Sequence, residues 1–351
     1  YYAVFYSGMP DLNYRNPEVT AQMEEVSRFW LEDMGVDGFR LDAIKHMVED
    51  NRIMEDAPST VQWMYGYNDA VDAINPDALT VGEVWSPSVS VERYVVDGVD
   101  IAFEFDYATA IINGIQNRNA DAVNRALETV LRVYPEGQFA AFLTNHDQNR
   151  VMSQLNSDTN AAKAAATILL TGPGVPFIYY GEEIGMQGSK PDERIRTPMH
   201  WTDDSVNAGF STAQPWQILT FNVDRYNVAG EEDRPDSILN RYRDLIALRN
   251  QYAALRLGNT LPVQADSPAI YSVLRYLDGQ AVLLAMNLAE EPAIGFSLSL
   301  SEGPLTPTPE VSRLLGSRSV RVPEVTGTGG FSGYVPVSRL NGREAIVILF
   351  E

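Results

Sequence analysis

The sequence predicts a parallel α/β barrel followed by a small antiparallel β domain. Across residues 16–252, short apolar strands alternate with amphipathic helices, the order that builds a parallel sheet. Three acids, Asp42, Glu83 and Asp147, each stand at the carboxyl end of a strand-like run. In a parallel barrel such positions project into the active-site mouth. From Gly258 onward the pattern changes to alternating strands joined by tight turns.

The first helix and strand follow from capping and periodicity. Asn16-Pro17 is typical of a helix start, and Gly35 of a helix end. The strand predicted over 36–42 has a period of two, which puts Arg40 and Asp42 on one face. The helix carries an apolar stripe at helical spacing, which predicts that this face packs on a sheet. The stripe consists of Val19, Met23, Val26 and Trp30.

The same alternation predicts the remaining elements of the barrel. Helices are predicted over 59–74, 108–133, 160–170 and 236–252, and strands over 79–84, 101–105, 139–143 and 175–179. One strand-helix unit separates Asp42 from Glu83, and two separate Glu83 from Asp147. We therefore expect the three acids on strands n, n+1 and n+3, at the same rim of the barrel.

Two hairpins are predicted in the C-terminal part of the chain. Strands over 269–277 and 280–288 flank Asp278-Gly279, and strands over 334–340 and 343–350 flank Asn341-Gly342. Both dipeptides favour two-residue turns, because they tolerate positive φ angles.

The chain is strongly acidic, with 47 Asp and Glu against 26 Lys and Arg and a net charge of −21. Phosphate backbones bind through Lys and Arg, so we expect no nucleic-acid partner. No apolar run is long enough to cross a bilayer, so we expect no membrane partner either. A neutral sugar is compatible with this acidic surface as a substrate, because its binding needs no attraction by opposite charge. The absence of cysteine excludes disulfides but leaves the compartment open, with export favoured slightly over the cytoplasm.

The three acids suit cleavage of a glycosidic bond, which needs a proton donor and a carboxylate facing the anomeric carbon. Asp42 is the candidate nucleophile, because Arg40 on the same strand face would keep it ionised. Glu83 lies among apolar neighbours in sequence, an environment that suits a general acid. Asp147 would stabilise the oxocarbenium-like transition state, with His146 donating hydrogen bonds to the sugar.

Each motif alone also fits a plainer role. An Arg-x-Asp on a strand is often only an ion pair, and Asn-His-Asp at a strand end can be a helix cap or a metal ligand. The order and spacing of the three motifs together favour a catalytic architecture.

With these motifs the chain resembles the α-amylase superfamily, glycoside hydrolase family 13. GFRLDAIKH, GEVW and FLTNHD are similar to its second, third and fourth signature regions, MPDLN to its fifth, and GVPFIYYGEEIG to its eighth strand. The resemblance implies Asp42 as nucleophile, Glu83 as acid/base and Asp147 as transition-state stabiliser. It also implies four residues that bind the sugars on either side of the cleaved bond: Arg40, His146, Lys45 and His46.

The resemblance implies no cofactor for the chemistry itself. It does imply a structural calcium ion, for which the backbone carbonyl of His46 is the candidate ligand in this chain. MPDLN is typical of the group between oligo-1,6-glucosidases and neopullulanases. RIRTPMHW resembles a segment of the oligo-1,6-glucosidases, which implies that Arg196 grips the sugar; His200 replaces the usual glutamine.

The first signature region of the family is absent from the sequence. Strands four to eight of the (β/α)8 TIM barrel are therefore expected here, and strands one to three from a missing or separate N-terminal segment of the same gene product, with which the chain would associate. The predicted domains are 1–16 as the end of the B domain, 17–257 as the catalytic barrel, and 258–351 as a C-terminal β-sandwich.

The sequence thus predicts a retaining hydrolase that cleaves α-1,4 bonds in starch and maltooligosaccharides. The alternatives within the superfamily are an exo-acting α-glucosidase and a neopullulanase or transglycosylase. A catalytically inactive subunit for binding or assembly is the alternative from another class.

Overall fold

The computed structural model describes all 351 residues. The helices are α1 Pro17–Arg28, α2 Pro58–Ile74, α3 Ser88–Val95, α4 Phe105–Asn117, α5 Asp121–Val133, α6 Val151–Gln154, α7 Thr159–Thr171, α8 Asp192–Ile195, α9 Val228–Glu232, α10 Ile238–Gln251 and α11 Ala253–Leu257. A π-helix, Phe29–Asp33, and two 3-10 helices, Ile44–His46 and Glu182–Ile184, complete the helical segments. None of the helices combines the length and apolarity needed to cross a bilayer.

The strands fall into a parallel set followed by an antiparallel set. They are β1 Gly38–Leu41, β2 Leu79–Gly82, β3 Ile101–Phe103, β4 Phe139–Ala141, β5 Val175–Pro176, β6 Asn259–Pro262, β7 Gln264–Ala265, β8 Ile270–Leu277, β9 Gln280–Asn287, β10 Ala293–Ile294, β11 Leu298–Leu300, β12 Val311–Leu315, β13 Phe331–Tyr334, β14 Arg339–Leu340 and β15 Ala345–Phe350. The chain divides into two units, one of residues 1–106 with 129–140 and the other of residues 107–128 with 141–351.

The first unit contains a parallel sheet in which neighbouring strands follow chain order. Strand β1 pairs with β2, β2 with β3, and β3 with β4, all in parallel. The register sets Leu41 opposite Gly82, the last residues of β1 and β2. Asp42 and Glu83 therefore leave two adjacent strands at the same level of the sheet.

The predicted ends of the first helix are confirmed. The Asn16 side chain accepts a hydrogen bond from the Glu18 amide (3.1 Å), and Pro17 is the first helical residue. Gly35 adopts a φ of 70° just after the π-helix that continues α1. This left-handed conformation has no steric cost in glycine, so the chain turns there into β1.

The predicted apolar stripe of α1 is wrong in its outer half. Val26 and Trp30 are 46% and 43% exposed, whereas Ser27 and Leu31 are buried. The hydroxyls of Ser27 and Tyr67 form a hydrogen bond of 2.8 Å, so the Ser27 face of α1 lies toward α2.

The single helix predicted over 108–133 is also wrong, because it is two helices, α4 and α5. Arg118 has a φ of 57°, which ends α4. The Asn119 side chain accepts a hydrogen bond from the Asp121 amide (2.7 Å) at the start of α5. Asparagine is favoured at helix starts, so the beginning of α5 is local in origin.

Two of the three antiparallel sheets in the second unit share a core. The larger has the order β12-β15-β9-β8-β6 and the smaller β13-β11-β7. One buried apolar cluster draws on both, with Leu283 and Ile348 from the larger sheet and Leu298 and Phe331 from the smaller. This arrangement is a β-sandwich.

The two predicted hairpins have different outcomes. The Asp278-Gly279 hairpin is confirmed: β8 pairs with β9, and the two turn residues have φ angles of 49° and 82°. The Asn341-Gly342 hairpin is wrong, because β14 pairs with β10 while β15 lies between β12 and β9. All six residues of β15 are buried, so this strand occupies the middle of its sheet rather than one side of a local hairpin.

Arg249 ties the end of α7 to the start of β5. It is buried, and its guanidinium donates to the carbonyls of Leu170 (3.1 Å), Gly172 (3.0 Å) and Gly174 (2.7 Å). These carbonyls belong to the end of a helix and the loop after it, where backbone acceptors lack helical partners. The arginine therefore fixes the path of the chain into β5.

Glu182 is a buried acid in the loop that follows β5. It is 1% exposed and accepts a hydrogen bond from the Tyr242 hydroxyl on α10 (3.0 Å), while its Oε2 has no hydrogen-bond partner. Burial raises the pKa of Glu182 to about 8. Glu182 is therefore protonated in the folded protein at neutral pH.

We expect Glu182 to make the folded state less stable as the pH rises. In the unfolded chain its carboxyl has the ordinary pKa of 4.5. Raising the pH from there to about 8 therefore ionises the unfolded chain first and favours unfolding. Compared with Glu182→Gln, the wild-type free energy of unfolding should fall by up to ~1.4 kcal/mol per pH unit in this window. Urea unfolding across the window checks this, with the exposed Glu232→Gln as control. An equal gap between wild type and Glu182→Gln at every pH would show that the site does not titrate.

Candidate active site

The first group of candidate residues lies at the carboxyl ends of β1 and β2. Asp42 directly follows β1 and Glu83 directly follows β2. The Glu83 amide donates to the Leu41 carbonyl (2.9 Å), which continues the parallel ladder by one residue. The two acids that the sequence singled out thus leave neighbouring strands side by side.

Arg40 joins the two acids. One guanidinium nitrogen, Nη1, donates to Asp42 Oδ1, and the other, Nη2, lies 3.4 Å from Glu83 Oε2. The sequence predicted the first of these contacts but not the second. The Asp42 side chain is 75% exposed, whereas that of Glu83 is 10% exposed. One carboxylate is open to an incoming molecule, and the other is sheltered.

The turn after Asp42 holds Glu83 in place. Ala43 has φ 47° and ψ 39°, a left-handed conformation that is uncommon for a residue other than glycine. In this conformation its amide donates to Glu83 Oε2 (2.8 Å). Uncommon backbone of this kind concentrates at functional sites. Nothing in the sequence signals it, because alanine is not a residue typical of such turns.

The surroundings of Glu83 differ from the apolar environment that its sequence neighbours predicted. Val84 is buried, but Trp85 is 48% exposed and stacks on Phe105 with ring centroids 4.8 Å apart. The carboxylate itself is met by the Ala43 amide and the Arg40 guanidinium. Side-chain direction decides this, because alternate residues of a strand face opposite sides.

Lys45 and His46 follow in the 3-10 helix after Asp42. Lys45 Nζ donates to the Trp85 carbonyl (2.8 Å) and lies 2.6 Å from Glu55 Oε2. The hydrogen bond from Lys45 lowers the pKa of the Glu55 carboxyl. The imidazole Nδ1 of His46 lies 3.0 Å from the Met54 carbonyl. Both side chains therefore hold the 46–56 segment against the ends of β1 and β2.

The calcium site stays a prediction. The chain contains no group of three or more His, Cys, Asp or Glu side chains arranged to hold a metal ion. The His46 carbonyl would be one of several ligands, since calcium takes six to eight oxygen ligands.

A second group of candidate residues lies in the second unit, in the loop after β4. Asp147 accepts hydrogen bonds from Arg196 Nη2 (2.6 Å) and lies 3.2 Å from His146 Nε2. The guanidinium of Arg196 also donates to the His146 carbonyl (2.9 Å) and to Asp192 Oδ2 (2.9 Å). Asp147 is oriented from its own loop as well, because its amide donates to the Asn145 side chain (2.9 Å). The structure thus brings Arg196 onto the predicted stabiliser.

Two tyrosines of the eighth-strand motif position Arg196. The hydroxyl of Tyr179 donates to the Ile195 carbonyl (3.0 Å), and that of Tyr180 to the Thr197 carbonyl (2.6 Å), on either side of Arg196. Burial raises the pKa of the Tyr179 hydroxyl, so it stays a donor. Both contacts are between segments distant in sequence, so sequence reasoning missed them.

Arg150 is a buried cation that supports these tyrosines. It is 1% exposed, and its guanidinium lies 4.7 Å and 4.6 Å from the ring centroids of Tyr179 and Tyr180. It also donates to the Tyr180 carbonyl (2.6 Å). Cation–π contacts away from water contribute about 2 kcal/mol each. The only signal in the sequence was its place three residues after Asp147.

His200 does not belong to this group. It is buried, with Nδ1 3.0 Å from the Tyr226 carbonyl and Nε2 3.1 Å from the Thr220 hydroxyl. Burial lowers the pKa of its imidazole. The histidine that replaces glutamine in the RIRTPMHW segment is therefore a packing residue.

The structure brings Arg40, Asp42 and Glu83 together in the first unit, and His146, Asp147 and Arg196 in the second. The first group combines an exposed carboxylate with a sheltered one, and glycoside hydrolysis uses a pair of carboxyl groups. The second combines a carboxylate with two cationic or hydrogen-bonding side chains.

Comparison with known proteins identifies the family. Residues 1–258 match the α-amylase catalytic domain. The α-amylase 3 of Dictyoglomus thermophilum is 37% identical over 294 residues, which are 82% of this chain and 57% of that protein. A trehalose synthase/amylase of Mycolicibacterium smegmatis is 29% identical over 351 residues, covering 83% of this chain and 58% of that protein. The chain thus spans a little more than half the length of these curated relatives.

A solved structure supports the same assignment. The crystal structure of α-amylase from H. orenii matches with a TM-score of 0.80 at 32% identity, over 100% of this chain and 68% of that chain. The predicted fold class, a TIM barrel with a C-terminal β domain, is thereby confirmed. The family match ends at residue 258, and the first strand of the β-sandwich begins at Asn259. The chain belongs to the α-amylase family, glycoside hydrolase family 13.

Proposed function

We propose that the protein containing this chain is a retaining α-glucan hydrolase that cleaves α-1,4 bonds in starch and maltooligosaccharides. The observation that carries the proposal is the contact of one guanidinium, that of Arg40, with both Asp42 and Glu83. The similarity to the α-amylase 3 of D. thermophilum supports the choice of substrate. Because the chain covers 57% of that relative, the activity is proposed for the whole protein.

In the first step, a carboxylate oxygen of Asp42 attacks the anomeric carbon while Glu83 gives its proton to the departing glycosidic oxygen. A covalent glycosyl ester forms at Asp42, and the shortened glucan leaves with the proton. The exposed Asp42 side chain supports this assignment, since a nucleophile must reach the sugar. Glu83, whose side chain is 10% exposed and lies beside Arg40 at the end of the neighbouring strand, takes the other role.

In the second step, Glu83 takes a proton from a water molecule, whose oxygen attacks the anomeric carbon and displaces Asp42. Two inversions give retention of configuration. Arg40 has a different task in each step. It orients the Asp42 carboxylate before attack, and it pairs with that carboxylate again as it leaves.

Asp147 is proposed to stabilise the positively charged transition state, with His146 and Arg196 fixing its orientation. The three contacts that Arg196 makes, with Asp147, Asp192 and the His146 carbonyl, support this role. A carboxylate held from both sides needs little reorganisation when charge develops on the sugar, which is the main source of electrostatic catalysis.

The second candidate function is glycosyl transfer, in which a sugar hydroxyl replaces water in the second step. The similarity to a trehalose synthase/amylase favours glycosyl transfer, because the name of that relative gives a synthase beside an amylase. The chemistry at Asp42 and Glu83 is the same for both functions. The acceptor that reaches the glycosyl ester decides between them.

The products formed from maltoheptaose should distinguish these functions. We expect a spread of shorter maltooligosaccharides with reducing ends of the α configuration, since an internal bond is cleaved with retention. Chromatography of early time points, with NMR of the anomeric proton, measures both. Glucose alone would instead show exo action, and oligosaccharides longer than maltoheptaose would show transfer.

Glu83→Gln should lower kcat on starch by about 10²–10⁴-fold, the usual contribution of a general acid. The loss should be much smaller for the first step with α-maltosyl fluoride, because fluoride departs without a proton. Steady-state rates on starch and single-turnover rates on the fluoride measure the two cases. Glu32→Gln, a charge loss at a side chain that is 50% exposed, serves as control. Equal losses on both substrates would contradict the role of Glu83 as proton donor.

A further inference from the structure

A pocket of about 360 Å³ lies in the second unit, between two helices and the β-sandwich. Lys163 and Thr167 line it from α7, and Arg241 from α10. Ser317 lines it from the loop after β12, and Arg343 with Glu344 from the turn before β15. None of the residues proposed for catalysis lines this pocket.

The pocket concentrates positive charge in an acidic protein. Three of its side chains are cations, Lys163, Arg241 and Arg343, whereas the chain as a whole has a net charge of −21. Glu344 is the one carboxylate in the lining. Its oxygens accept hydrogen bonds from the Ser317 hydroxyl (3.1 Å) and the Asn341 amide (2.8 Å). Three cations against one carboxylate leave the lining with a net positive charge.

The three cations are held largely by neutral groups. Lys163 Nζ donates to the main-chain carbonyl of Asp236, and Arg343 Nη1 donates to the carbonyls of Ile115 (2.7 Å) and Leu288. The Arg241 guanidinium takes part in no ion pair or side-chain hydrogen bond. Carbonyl acceptors orient a cation without neutralising it, so these groups keep their attraction for an anion.

Two further features of Arg343 and Lys163 agree with an unmet demand for negative charge. The Nε of Arg343 is buried without a hydrogen-bond partner, and its nearest carboxylate, Glu290, is 3.7 Å from Nη2. Burial lowers the pKa of Lys163, the nearby Asp236 carboxylate raises it in part, and the neighbouring Arg241 lowers it. Buried polar groups are rarely left without partners in proteins, and unpaired buried charges still more rarely.

We propose that this pocket binds a phosphate group, either as inorganic phosphate or as part of a small phosphate monoester. A phosphate dianion offers several acceptor oxygens to two guanidinium groups and an ammonium group, which is the match that makes such contacts strong. The volume falls in the range of small-molecule sites, ~300–1,000 Å³. The ligand would bridge the two helices to the β-sandwich, because Lys163 and Arg241 lie on α7 and α10 and Arg343 lies in the β-sandwich. This proposal does not depend on the proposed function.

Calorimetric titration with inorganic phosphate and with glucose 6-phosphate, at constant ionic strength, tests the proposal. We expect saturable binding of one ligand per chain, weakened about tenfold by Arg241→Gln and by Lys163→Gln, since each removes a charge-assisted contact. Arg243→Gln is the matched control. It removes the same charge from the same helix, but Arg243 pairs with Glu232 and does not line the pocket. Its affinity should equal that of the wild type.

The two ligands separate the sources of the phosphate. Tighter binding of glucose 6-phosphate would identify a monoester, and equal binding would identify the phosphate group alone. At one phosphate concentration, the melting temperature should rise more for the wild type and for Arg243→Gln than for Arg241→Gln. The proposal is overturned if neither ligand binds saturably, or if the pocket variants bind as tightly as the control.

Discussion

The candidate site depends on one register, the pairing of Leu41 with Gly82 at the ends of two parallel strands. A shift of one residue would turn Asp42 or Glu83 to the other face, since successive side chains of a strand alternate. With this register, the two acids leave adjacent strands at one level, and Arg40 reaches both. The left-handed Ala43 then brings its amide to Glu83. The roles proposed for the two acids follow from this arrangement of strand ends.

In the second unit, loops rather than strand ends carry the candidate residues, and side chains hold those loops by their backbones. Tyr179 and Tyr180 bind the carbonyls that flank Arg196, and Arg150 supports both rings. Arg196 in turn binds Asp147. Loss of a supporting residue would displace Asp147 without removing any group that touches the sugar. Such indirect support is usual where a site must be preorganised.

The parts of the structure that local chemistry decides could be predicted from the sequence. A few neighbouring residues decide the placement of Asp42 and Glu83 at strand ends, the Asn16 cap and the Asp278-Gly279 turn. The family motifs added the roles expected of the acids. Contacts between distant segments could not be predicted. The Ser27–Tyr67 hydrogen bond joins α1 to α2. At Asn341-Gly342 the dipeptide favours a tight turn, but the burial of all of β15 places that strand elsewhere in the sheet. The family motif pointed to Arg196 only as a residue that binds the sugar. Its hydrogen bond to Asp147 could not be predicted, because nothing local in the sequence links the two residues.

The central claim is that Asp42 forms a covalent bond with the sugar while Glu83 handles the proton. Incubating Glu83→Gln with α-maltosyl fluoride tests it most directly, since fluoride leaves without a proton but hydrolysis of the ester then lacks its base. Mass spectrometry of the intact protein and of its peptides would locate any adduct. The account predicts one maltosyl group, attached to the peptide that contains Asp42 and released slowly. An adduct on any other residue, or turnover of the fluoride to a product of inverted configuration, would contradict it.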